Sequence, residues 1–179
     1  KVFHFAGLIK GDFEDEMIRV LSERAKVALD VQGILRDADL ETGSMDYHDW
    51  DAKKTYLPYV TYLKTDAAEA EILTGLTDRK EAAKQMAEWG AKEIMITHHD
   101  EVLVYDGKDF YTCPLKPRSL AGRTGRGDTT FSAYITERQR AGIQEALNFA
   151  AQLVSLKMET PGPFKGSRED VAAFAESFA

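Results

Sequence analysis

Gly122-Arg123-Thr124-Gly125-Arg126-Gly127-Asp128-Thr129-Thr130 places three glycines and one acid directly before a helical pattern, Phe131 to Arg140. Glycines turn the chain tightly and expose consecutive N–H groups. The helix that follows adds unpaired N–H groups and the positive end of its dipole. Such a place binds an anion. Asp128 stands where an anion would be repelled, and two explanations are open. It can be a general base, taking a proton from a hydroxyl while the N–H groups hold the charge that develops on a transferring phosphoryl group. It can equally be an ordinary N-cap, a position Asp favours after a glycine turn.

Other candidates fall at the ends of strand-like runs. Asp66 followed three residues later by Glu69 reads as a capping-box-like helix start. Glu69, with Glu71 close by, also fits a solvated acidic helix face. Asp30 and Gln32 end a run and can line a ligand-facing edge, or cap a turn. His98 and His99 are adjacent, which is not ligand spacing on a helix face, and read as polar loop residues. Arg126 can reach a phosphate or lie in solvent.

The elements that must position these residues alternate. Strands are predicted over Val2–Ala6, Val27–Val31, Val60–Lys64 and Glu93–Thr97. Helices are predicted over Phe13–Lys26, Asp66–Thr74, Asp78–Trp89, Asp128–Arg140, Ile143–Met158 and Arg168–Phe178, each by apolar period or by its stop glycine. The first should bury Phe13, Met17, Val20 and Leu21. Glu101–Tyr105 and Asp109–Cys113 flank Asp106-Gly107-Lys108, a hairpin turn signal. Gln32–Tyr47 reads as a polar loop, and Asp49–Tyr59 is ambiguous, with a break at Pro58. The alternation predicts one α/β domain over residues 1–179: a mainly parallel sheet covered on both faces, plus one antiparallel hairpin. In such a sheet ligands collect at the carboxyl ends of the strands. Asp30, Lys64, Asp66, Thr97 and Gly125–Asp128 all fall there.

With 44% hydrophobic and 30% charged residues, the composition is that of a soluble globular protein. A net charge of −7 argues against nucleic acid as a partner. No apolar run approaches the length of a membrane span. The one cysteine, Cys113, permits no internal disulfide and fits a reducing cytoplasm. No Lys-Ser/Thr pair follows the glycines, which excludes a P-loop, and the third glycine of a Rossmann turn is missing. There is no nucleophile elbow.

Thr124 with Gly125-Arg126-Gly127-Asp128 resembles the Gly-Ala-Gly-Asp signature of the PfkB (ribokinase-like) carbohydrate kinases. Leu29-Asp30-Val31-Gln32-Gly33-Ile34-Leu35-Arg36 resembles a strand-end segment of that family. Lys64-Thr65-Asp66-Ala67-Ala68-Glu69, with Leu73-Thr74-Gly75, resembles its Asn-x-x-Glu segment and the Leu-Thr-Gly that follows. The likeness runs from about residue 2 to about residue 175.

The resemblance implies a ribokinase-like three-layer α/β/α sandwich. It implies ATP-dependent phosphorylation of a hydroxyl on a small sugar or polyol, with Mg²⁺, in the cytoplasm. A nucleoside kinase of the same family is a close variant. A non-catalytic nucleotide-binding module is the alternative of a different class. Asp128 would be the base, and Gly125, Arg126 and Gly127 the anion hole. Glu69 would order water around the metal. Lys64, Asp66, Thr97, Thr124 and Gly162 would lie along the cofactor, Gly162 in the loop after the Ile143–Met158 helix. A homodimer is compatible with the family. Arg126 departs from the usual Ala, Asp66 from the usual Asn, and Gly122-Arg123 from an Asp-Thr that helps build a monovalent-cation site. Against the family, the chain is expected to begin near the middle, without the N-terminal part and lid strands.

Overall fold

The structure, a computed structural model, describes residues 1–39 and 41–177. The strands are β1 (Val2–Phe5), β2 (Lys26–Asp30), β3 (Arg36–Ala38), β4 (Met45–Tyr47), β5 (Tyr62–Asp66), β6 (Glu93–Thr97), β7 (Glu101–Tyr105) and β8 (Phe110–Pro114). The helices are α1 (Glu16–Ser22), α2 (Gln32–Leu35), α3 (Lys53–Tyr56), α4 (Ala67–Thr74), α5 (Arg79–Glu88), α6 (Arg126–Glu137), α7 (Ile143–Lys157) and α8 (Arg168–Glu176). A six-stranded sheet runs in the order β1-β2-β5-β6-β7-β8, and β3 and β4 form a separate antiparallel pair. The pairings β1–β2, β2–β5 and β5–β6 are all parallel. The predicted α/β alternation, mainly parallel, is therefore the observed one.

The described residues cluster into two compact units. The first comprises Lys1–Thr97 and Val104–Phe110. Its central strands are buried nearly end to end, as parallel strands covered on both faces must be. Val27, Leu29, Leu63, Ile94 and Ile96 are fully removed from solvent. Each such side chain stabilises the fold by about 1.5–3 kcal/mol. The α4 helix stops at Gly75, whose φ of +73° is the left-handed cap that favours glycine.

The second unit comprises His98–Leu103 and the described residues from Tyr111 onward. Here α6 packs on α7 and α7 on α8. Phe131, Tyr134, Leu147, Val154 and Val171 form the core.

Three expectations need correction. Gln32–Tyr47 is not a plain loop: it holds α2 and the β3–β4 hairpin, whose turn is closed by Asp39 accepting from Glu41 N–H and Thr42 N–H. Leu40 lies outside the described residues. The α1 helix is shorter than predicted and buries Ile18, while Met17 and Val20 stay 44% and 38% exposed. Phe13 instead packs its ring 4.8 Å from that of Phe5. The α6 helix begins two residues before the predicted Asp128, because Gly125 turns the chain at φ +76° and takes the cap position. The predicted end of α8, Phe178, lies outside the described residues.

Candidate active site

In the first unit the candidates gather where β2 and β5 end. Asp30 and Lys64 are register partners on these parallel strands. Lys64 Nζ lies 3.0 Å from Asp30 Oδ2 and 3.7 Å from Glu69 Oε2. Burial opposes the charge on Lys64, but Asp30 and Glu69 outweigh it and hold the ammonium above the usual lysine value. Burial pushes the Glu69 carboxyl up to about 7, against the pull of Lys64 and with the added push of the Asp66 and Asp30 charges.

Asp66 ends β5 and caps α4. Its Oδ1 accepts from Glu69 N–H at 2.8 Å, and Glu69 Oε2 accepts from Asp66 N–H at 2.7 Å. The expected capping box is present. The alternative reading of Glu69 as a solvated face is not met, since the residue is 3% exposed. Among the described residues, Asp66 Oδ2 and Glu69 Oε1 have no donor. These two oxygens fit contact with a hydrated Mg²⁺ through water; Glu69 Oε2 is already engaged and does not fit as a direct ligand. Thr97 closes β6, buried, with its hydroxyl 3.4 Å from Thr65 O.

In the second unit the glycine turn leads into α6. Arg126 N–H donates to Arg123 O at 3.2 Å, and Thr129 N–H to Gly125 O at 3.0 Å. Between them, the N–H groups of Gly127 and Asp128 have no acceptor among the described residues. Asp128 is therefore not the N-cap; it is the third residue of the helix, and its carboxylate is exposed, with no partner among the described residues. Two free donors and one free carboxylate on a single turn can bind an oxyanion and accept a proton beside it. Arg126 is half-buried and Thr124 exposed. Gly162 turns the following loop at φ +90°. A cavity of about 490 Å³ opens beside that loop, with Lys157, Thr160, Pro161, Phe164 and Phe174 among its walls.

His98, His99 and Asp100 are the one group among the described residues whose ligand atoms converge. Asp100 is spent on His98 Nδ1, which leaves two ring nitrogens 3.1 Å apart on an exposed loop.

Sequence reasoning missed the contacts that two residues make. One is Asp30 as the partner of Lys64; the available signal was a pair of opposite charges ending two buried parallel runs. The other is Lys157, whose Nζ donates to Gly122 O and Thr124 O.

The pfkB family carbohydrate kinase pattern matches residues 1–169. The chain belongs to this family. Among relatives of the pfkB family chain is a cytidine kinase of Thermococcus kodakarensis, 39% identical over 75 residues, or 40% of this chain and 27% of that one. Among solved structures is a pyrophosphate-dependent kinase in the ribokinase family, complexed with a pyrophosphate analog and myo-inositol. It is 38% identical, with a TM-score of 0.88, over 97% of this chain and 62% of that one. An Arabidopsis thaliana ribokinase, complexed with ribose and ATP, is 17% identical with a TM-score of 0.76 over 97% of this chain and 55% of that one; it shows the shared fold. This pfkB chain thus spans less than two thirds of each of these proteins.

Proposed function

We propose that this chain carries the donor-binding and proton-accepting part of a kinase that phosphorylates a hydroxyl of a small sugar or polyol. One observation supports the reading most: the Gly127 and Asp128 N–H groups and the Asp128 carboxylate, all without a partner among the described residues, in the stretch that resembles the family's Gly-Ala-Gly-Asp signature. In the proposed reaction the N–H groups receive oxygens of the transferring phosphoryl group. Asp128 accepts the proton of the acceptor hydroxyl as its oxygen bonds to phosphorus, and the donor's bridging oxygen leaves with the bond electrons. Mg²⁺, when bound with the donor, would neutralise charge on its phosphate oxygens. In the first unit, Asp66 and Glu69 are the residues that would hold a hydrated Mg²⁺ through water. Lys64 keeps the Glu69 end of that pair in place.

ATP is the donor that the signature implies. A specific observation favours pyrophosphate as a second reading: the 38% identity over 97% of this chain is to a pyrophosphate-dependent kinase. A nucleoside acceptor is the variant supported by the cytidine kinase relative. The test is calorimetric titration with Mg-ATP and with Mg-pyrophosphate in turn. Heat and a raised unfolding temperature with one of them are expected, since binding to the folded state alone stabilises it. Absence of both effects, with both donors at millimolar concentration, would overturn the reading.

A further inference from the structure

Lys157 is the last residue of α7 and is only 4% exposed. Its Nζ donates to Gly122 O at 2.6 Å and also to Thr124 O. A Cβ added at Gly125 would lie 4.0 Å from the same Nζ. No carboxylate among the described residues pairs with it. A buried charge with no counter-charge is costly and needs compensation. Here the compensation is two backbone carbonyl dipoles from the very turn that opens α6. Paired carbonyls replacing a hydration shell are what holds K⁺ in proteins, and an ammonium group asks for the same partners. Among the described residues, one of the three ammonium hydrogens is left without an acceptor.

From this geometry we infer that Lys157 is a positioning residue, a built-in monovalent cation. Its ammonium ties Gly122 O and Thr124 O together, fixes the Gly122–Gly125 turn, and places one positive charge behind the anion-binding N–H groups. Donor binding then needs no dissolved K⁺. The inference rests on the reading of Gly125–Asp128 as the donor site.

The test titrates inorganic pyrophosphate calorimetrically in potassium chloride and in tetramethylammonium chloride at equal ionic strength. Wild type is expected to bind equally in both. A potassium-dependent gain in wild-type affinity would overturn the inference, because the carbonyls would then be taking an ion. Lys157→Met is expected to bind roughly tenfold more weakly in tetramethylammonium, the loss of one charge-assisted contribution. Potassium or ammonium ions should recover part of that loss. Unchanged affinity, or a loss that potassium does not recover, would overturn the inference. If Lys157→Met does not fold, the wild-type salt comparison still decides. If wild type binds no pyrophosphate, the donor reading fails for that ligand, and thermal unfolding in the same salts carries the test. A melting temperature that potassium raises in Lys157→Met more than in wild type supports the built-in cation, and equal responses contradict it.

Discussion

Lys64 Nζ sits 3.0 Å from Asp30 Oδ2, across neighbouring parallel strands, with side-chain exposures of 4% and 3%. The pair lies directly below the Asp66–Glu69 helix start, and Glu69 shares the lysine at 3.7 Å. One cation therefore holds two buried carboxylates at the strand ends.

Removing that cation should be costly. Lys64→Met leaves Asp30 and Glu69 buried without a counter-charge, and truncating one partner of a buried pair costs about 3–5 kcal/mol. Urea unfolding should show the loss as a lower midpoint with an unchanged slope. A midpoint equal to that of wild type would contradict the pairing.

Glu69 sets a pH dependence. Its folded-state value of about 7 lies above the ordinary 4.5. Between these values the folded chain keeps a proton that the unfolded chain has released. Stability from this group therefore falls as pH rises through that interval and levels off above about 7, by on the order of 1–3 kcal/mol. Unfolding curves of wild type and Glu69→Gln across pH 4 to 8 check it, the interval being about that of the shift. The variant should lose this downward slope; parallel curves would exclude Glu69 as its source.

Gly122 answers to close approach. A Cβ there would stand 1.9 Å from Thr160 O, and Gly122 N–H donates to Met158 O at 2.7 Å. Gly122→Ala must push the turn away from the end of α7, with a strain of about 1–3 kcal/mol. Donor affinity should fall with stability, because the same turn opens α6. An alanine variant with wild-type melting temperature and wild-type donor affinity would refute this account.

What was legible in the sequence was local. The capping box needs only Asp66 and Glu69 at their spacing, and the β7–β8 turn needs only Asp106-Gly107. Both elements stand where the sequence places them. What was hidden depends on partners far along the chain. Asp30 and Lys64 meet only once strand register is fixed. Gly122 needs its missing side chain because of Thr160, and Lys157 finds its carbonyls 33 and 35 residues upstream. The β3–β4 pair was missed because Met45, Asp46 and Tyr47 are all exposed, so no buried face imprints a period of two. In α1, the apolar residues outnumber those the core takes, and Ile18 rather than Met17 turns inward. Asp128 reads from the sequence as cap or base, and the cap position belongs to Gly125, whose left-handed turn depends on the fold around it.

Replacement of Asp128 by Asn tests the central claim most directly. The substitution keeps size and leaves the Gly127 and Asn N–H groups for the donor, but removes the proton acceptor. Donor affinity and folding should stay near wild type, while turnover on a panel of sugars and polyols should drop by about 10²–10⁴-fold. Turnover within a few-fold of wild type would contradict the assignment of Asp128 as the base.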